Sequence, residues 1–195
     1  MDLYLVRHTP VNLESKICYG QLDLEADSSF SEHCSRLLPL FEELKNSKAY
    51  VSPLKRCISM AKYFYRDFNL IEDLKEINFG DWEGKSWDKI PRHQIDQWAI
   101  NVCDYSPLNG ESLREMNFRV LHFMKNVEAE DIESIVLFTH AGPIRSILAH
   151  YMQLDLENTL KIHVDFSSVS KIIVNDEFAR IEYVNRVSST TKDWV

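Results

Sequence analysis

Leu3-Tyr4-Leu5-Val6-Arg7-His8, near the start of the chain, and Ile135-Val136-Leu137-Phe138-Thr139-His140, far along it, decide the fold. Each holds an unbroken run of four apolar residues and ends on a histidine. A short apolar run with no polar alternation reads as a strand buried on both faces, and such strands belong to parallel sheets covered by helices. Between and after the two runs, helical and strand patterns alternate. Phe30 to Lys45 sets Leu37, Leu40, Phe41 and Leu44 on one side of a helix. Tyr50-Val51 reads as a second strand, and Ser52-Pro53 opens a helix to about Tyr65, with the proline in its first turn. Leu70 to Leu74 reads as a third strand, Glu111 to Lys125 as a helix, and Pro143 to about Tyr151 as another. Lys171 to Val174 and Arg180 to Val184 suit a closing antiparallel pair, and the tail from Ser188 reads as frayed. The alternation predicts an α/β fold, a three-layer α/β/α sandwich around a mostly parallel central sheet. Gly84 to Asn109 breaks the pattern. It holds Trp87, Pro91, Trp98 and Pro107 and no strand signal, so it reads as a small helical cap insertion over the sheet edge, at about 84-110 within a single domain spanning 1-195.

Composition bounds the function. The 195 residues carry 45% hydrophobic and 27% charged side chains, enough for a single core with an ordinary soluble surface. The formal net charge is -8, which argues against a nucleic-acid surface, since binding a strand takes a clustered basic face. No apolar run approaches the roughly 20 residues of a spanning helix, and the first residues lack the basic and long apolar regions of a signal peptide. A cytoplasmic protein with no membrane partner is therefore expected. Cys18, Cys34, Cys57 and Cys103 form no C-x-x-C pair, so neither a metal site nor a disulfide framework is expected. Monomer and homodimer both remain open.

Chemistry gathers at the predicted strand ends. His8 and His140 each close an apolar strand; Arg7 sits beside one, and Arg56 follows Ser52 at the end of another. In parallel sheets ligands bind beyond the carboxyl ends of strands. Imidazole can attack phosphorus directly, and guanidinium forks match phosphate oxygens while staying charged. Any one of these groups alone is an ordinary strand-end polar residue. Two histidines and two arginines at one sheet edge make a phosphate pocket with its own nucleophile.

Five blocks of sequence then carry a resemblance. Leu5-Val6-Arg7-His8-Thr9, Ser52-Pro53-Leu54-Lys55-Arg56-Cys57, Leu74-Lys75-Glu76 with Phe79-Gly80-Asp81-Trp82-Glu83-Gly84, Asn109-Gly110-Glu111-Ser112, and Thr139-His140-Ala141-Gly142-Pro143-Ile144-Arg145 occur in that order. Together they resemble the signature blocks of the histidine phosphatase superfamily, whose fold is called phosphoglycerate mutase-like. The resemblance implies a metal-independent phosphatase that needs no cofactor and takes a small-molecule phosphomonoester. It implies that His8 is the nucleophile, that Arg7, Arg56 and His140 hold the phosphoryl oxygens, and that Glu76 protonates the leaving alkoxide. Ser112 is an implied further contact, and Arg145 reads as a residue that ties helix to sheet. A free histidine titrates near ~6.5, so His8 is expected to be mostly neutral at pH 7, and the neighbouring arginines push it further that way. The arginines would stabilise the charge that spreads over the equatorial oxygens in transfer.

Two departures and one further similarity matter. The usual L-T-x-x-G-x-x-Q block after the first loop is absent, and Ser28 to Arg36 stands there instead. Where many members carry an asparagine six residues past the histidine, this chain has Glu14, with Asn12 nearby as a candidate replacement. The stretch Ile17-Cys18-Tyr19-Gly20-Gln21-Leu22-Asp23, after Arg7-His8-Thr9-Pro10-Val11, is similar to the α-ribazole phosphatase branch, which acts late in cobalamin nucleotide-loop assembly. That similarity implies α-ribazole 5′-phosphate as substrate, with Tyr19 and Gly20 near it; separately, a flat apolar base suits an aromatic face, for which Tyr19, Trp82 and Trp87 are the candidates. Alternatives are a phosphoglycerate mutase-like or broad sugar-phosphate activity, a protein phosphohistidine phosphatase, and a binding module without catalysis. The chain is short for a mutase, and a pure binder has no use for Glu76.

Overall fold

The computed structural model describes residues 1–13, 16–175 and 178–187. Glu14 and the tail from Ser188 lie outside the described residues. Six strands form one sheet: β1 (Asp2–Arg7), β2 (Lys48–Val51), β3 (Asn69–Leu70), β4 (Ser134–Thr139), β5 (Val169–Val174) and β6 (Ala179–Arg186), in the order β3-β2-β4-β1-β5-β6. The pairings β3–β2, β2–β4 and β4–β1 are parallel, and β1–β5 and β5–β6 are antiparallel. The sheet is thus mixed, with its parallel half built from the apolar runs and its antiparallel half from the closing pair.

Helices cover both faces. Period-2 side-chain alternation along the central strands divides the core in two. Leu3, Leu5, Ile135, Leu137 and Ile172 face α4 (Leu113–Glu128) and α5 (Ala141–Met152). Tyr4, Val6, Val136, Phe138 and Val169 face α1 (Phe30–Glu43) and α2 (Lys55–Phe64). Both faces of β1 and β4 are buried, which is why their sequences read as solid apolar runs. Among the described residues no helix is long and apolar enough to cross a membrane.

Two boundaries differ from the expectations above. Helix α2 starts at Lys55 after a Leu54 cap, so Pro53 precedes the helix instead of filling its first turn. The third strand is only Asn69–Leu70, and Glu72–Leu74 form a 3₁₀ turn. The physical reason is position: β3 lies at the sheet edge, where both of its residues are exposed, and the turn drives Leu74 inward against the α4–α5 core. The segment after Gly84 forms a 3₁₀ turn at Trp87–Lys89 and α3 (Arg92–Ile100). It has its own small core, in which Cys18, Trp82 and Ile90 are buried against Phe79, Trp87, Ile95, Trp98 and Tyr105. Backbone bonds join it to the loop after β1: Cys18 donates to the Lys85 carbonyl, and Gly84 and Trp87 donate to Cys18 and Lys16.

Candidate active site

Strand register builds the site. Arg7 pairs with Thr139 across β1 and β4, so the next residues, His8 and His140, emerge side by side with ring centroids 5.1 Å apart. Ser52 follows β2 at the same level and donates its backbone N–H to the Phe138 carbonyl. Three parallel strands therefore end together, and the chemistry stands at their carboxyl ends.

His8 is 1% exposed. Its Nδ1 lies 2.7 Å from the Thr9 carbonyl, which can only accept, so Nδ1 carries the ring hydrogen and Nε2 presents its lone pair. Burial, then the charges of Arg56 and Arg7, hold its pKa well below the ordinary imidazole range. The result is a neutral imidazole with one free basic nitrogen.

Arg7 stacks its guanidinium 3.8 Å from the centre of the Phe166 ring and donates from Nη1 to the Val164 carbonyl at 2.6 Å. Its Nε is buried with no acceptor, and such an orphan donor costs free energy until something accepts from it. Arg56 is fully buried, and three of its N–H groups are engaged: Nη1 with the Leu22 carbonyl, Nη2 with the Gly20 carbonyl, and Nε with His140 Nδ1 at 3.2 Å. Gly20 permits that approach, because a Cβ there would stand 1.9 Å from the Ile77 carbonyl oxygen. A guanidinium has five N–H groups, so two remain for a ligand.

His140 accepts from Arg56 at Nδ1, which puts its hydrogen on Nε2, 2.8 Å from Ser52 Oγ. Burial and the charge of Arg56 lower its pKa well below the usual range, as for His8. Both ring nitrogens are thus engaged, and a phosphoryl oxygen arriving at His140 would compete with Ser52 for the Nε2 hydrogen. Glu76 reaches the start of α5, where its carboxylate accepts from Gly142 N–H at 3.1 and 3.2 Å and from Ile77 N–H at 2.9 Å.

The other expected contacts divide. Tyr19 lines a cavity of about 210 Å³ together with Glu76, Phe79, Trp87, Trp98 and Arg145, and its ring lies 5.5 Å from the Arg56 guanidinium. Trp82 is not on that wall. It is buried in the small core with Cys18 and Ile90, with Nε1 donating to Gln94 Oε1, because the hydrophobic cluster there claims its ring. The aromatic residues on the cavity wall are instead Phe79, Trp87 and Trp98, each partly buried, together with Tyr19. Ser112 caps α4 in a reciprocal box with Glu115, so its hydroxyl is committed to the helix end. Asn12 is solvent-exposed, with its backbone bonded to the Glu25 carbonyl. Arg145 does tie the structure together, donating from Nε to the Ile162 carbonyl, but its side chain also forms part of the cavity wall. Its place in the fifth sequence block was a readable signal. Phe166 under Arg7 and Arg119 behind Glu76 had no such signal, since each depends on a contact made across the fold.

Known proteins place the chain in a family. Residues 3–187 match the family described as "Histidine phosphatase superfamily (branch 1)". A Hydrogenobacter thermophilus protein provisionally named phosphoserine phosphatase 2 is 26% identical over 96% of this chain and 97% of its own length. The adenosylcobalamin/alpha-ribazole phosphatase of Escherichia coli is 24% identical over 95% of this chain and 96% of its own. The crystal structure of the alpha-ribazole phosphatase from Shigella flexneri superposes with a TM-score of 0.87 at 23% identity, covering 95% of this chain and 96% of that one, and so shares its fold. With nearly the whole chain matched and the histidine–arginine cluster in place, the protein belongs to the histidine phosphatase superfamily.

Proposed function

We propose that this phosphatase works through a phosphohistidine on His8 and prefers α-ribazole 5′-phosphate, acting in the cytoplasm late in cobalamin nucleotide-loop assembly. What supports the mechanism is the meeting of a neutral, lone-pair-bearing His8 Nε2 with Arg7 and Arg56 at one sheet edge. In the first step Nε2 attacks phosphorus, an N–P bond forms, the bond to the leaving oxygen breaks, and Glu76 gives that oxygen a proton. In the second, water attacks phosphorus, the N–P bond breaks, inorganic phosphate leaves, and Glu76 regains a proton. The guanidinium groups stabilise the charge on the equatorial oxygens in both transfers, so positive charge is supplied by side chains.

What supports the substrate is the wall of Phe79, Trp87 and Trp98 in the same cavity as Glu76. A flat base stacked there gains roughly 0.5–1.5 kcal/mol beyond area burial. We also propose that residues 84–110 act as the cap that carries two of these rings. A second reading, O-phosphoserine, is favoured by Arg145, a cation on that wall that forms no ion pair among the described residues. It also matches the name of the Hydrogenobacter relative. The test is kcat/KM for α-ribazole 5′-phosphate, O-phosphoserine and 3-phosphoglycerate, measured with wild type, Trp87→Ala and Arg145→Gln. The riboside reading expects the riboside to lead and Trp87→Ala to hurt it most. A lead for phosphoserine that Arg145→Gln removes would replace that reading, while leaving the phosphatase chemistry intact.

A further inference from the structure

Arg119 stands on α4, behind the segment that carries Glu76, and every N–H of its guanidinium has an acceptor. Nη1 donates to the carbonyls of Asp73 and Lys75 at 2.7 and 2.8 Å. Nη2 donates to the Glu76 carbonyl at 3.0 Å and to Glu111 Oε1 at 2.7 Å, and Nε donates to Glu111 Oε2 at 3.0 Å. Both partners of the Arg119–Glu111 pair are mostly buried, with 19% and 17% of their side chains exposed. Glu111 Oε1 also accepts from Asn78 N–H at 2.9 Å. Gln21 Nε2 donates a second bond to the Glu76 carbonyl at 3.0 Å.

One rigid fork therefore holds three carbonyls of the segment 73–76 and one carboxylate, and that carboxylate holds the residue two beyond Glu76. A planar guanidinium with five fixed donors can do this; an ammonium, with three donors on a flexible stem, cannot. The Glu76 side chain has little freedom of its own, since its carboxylate must face both Gly142 N–H and the cavity. Its position is set by its backbone, and its backbone is held by Arg119 at three carbonyls and by Gln21 at one of them. A misplacement of about 1 Å at a reacting group can cost on the order of 10²-fold in rate.

We propose that Arg119, with Glu111, is a positioning clamp for the proton donor Glu76: it does not touch substrate, and it fixes where the acid stands. The proposal rests on the reading of Glu76 as the acid. A residue that only staples α4 to the loop would change stability and slow all substrates alike. A clamp on the acid has a different signature, because an acid matters most where the leaving group is poor.

The experiment compares an alkyl phosphate with p-nitrophenyl phosphate in wild type, Glu76→Gln, Arg119→Lys, Glu111→Gln, and the double variant Glu76→Gln/Arg119→Lys, with Tm measured for each. Arg119→Lys should slow the alkyl substrate at least tenfold more than the aryl one, mainly in kcat. Glu111→Gln, which loosens the same clamp from the other side and serves should Arg119→Lys fail to fold, should show the same selectivity in milder form. In the double variant the loss on the alkyl substrate should be no greater than in Glu76→Gln alone, since the clamp acts through that residue. If Glu76→Gln is leaving-group-selective and the folded clamp variants are not, or if their losses multiply with that of Glu76→Gln, the clamp fails alone. If Glu76→Gln shows no selectivity, the acid assignment fails and the clamp with it.

Discussion

A single backbone contact sets the tautomer of His8. The Thr9 carbonyl takes the Nδ1 hydrogen, and the lone pair is left on Nε2. His8→Ala should therefore abolish turnover and the trapped phosphoenzyme, read by mass spectrometry at neutral or alkaline pH because phosphohistidine is acid-labile. Turnover at the wild-type rate in that variant would refute the mechanism. Burial gives a second consequence. His8 and His140 are both held well below the usual histidine pKa, while in the unfolded chain each titrates near ~6.5. Below that pH the unfolded state binds protons that the folded state refuses, so stability rises with pH across this range and falls on acidification from about pH 7. Tm should drop between pH 7.5 and 5.5, and His140→Gln should make the drop shallower. Equal slopes in the two proteins would show that His140 does not carry the effect.

At the level of elements, the ends of helices do most of the positioning. The start of α5 receives Glu76, and a Cβ at Gly142 would stand 2.1 Å from Glu76 Oε1. Gly142→Ala should push the carboxylate away and slow an alkyl phosphate by up to the ~10²–10⁴-fold typical of lost general acid catalysis. A smaller loss on p-nitrophenyl phosphate is expected, and equal losses would mean that the methyl disturbs the nucleophile as well. The start of α4 has the opposite character. Ser112 and Glu115 satisfy each other's groups there, so Ser112→Ala should lower stability by about 1 kcal/mol in denaturant unfolding. Its kcat/KM on p-nitrophenyl phosphate should stay at the wild-type value; a selective rise in KM would return the hydroxyl to the substrate.

Across the whole molecule, the carboxyl ends of the parallel strands gather groups from distant parts of the chain, and Arg7 and Arg56 bring positive charge to them. Chelation by EDTA should accordingly leave activity unchanged, and a loss restored by magnesium or zinc would overturn this. The second core, around Trp82 and Ile90, packs the segment after Gly84 onto the loop that carries Tyr19 and Gly20. Because Arg56 in turn donates to the Gly20 carbonyl, that segment and Arg56 are joined through one loop.

Much of this was legible in the chain itself. Strands buried on both faces must be apolar throughout, so β1 and β4 announced themselves, and the polar residues that end them marked the site. The short β3 was over-read, because Leu70-Ile71 and Leu74 are apolar whether they pair or turn; only the sheet edge decided between the two. Trp82 and Trp87 were equivalent as residues, and packing sent one into the small core beside Cys18 and Ile90 and the other to the cavity wall. Sequence determined which chemical groups this protein owns and the order of its elements, since both follow from residue type and local periodicity. Tertiary structure alone decided the tautomer of His140, the orphan donor of Arg7 and the grip of Arg119 on the Glu76 backbone, because each depends on which groups, far apart in the chain, come within hydrogen-bonding distance when the strands align.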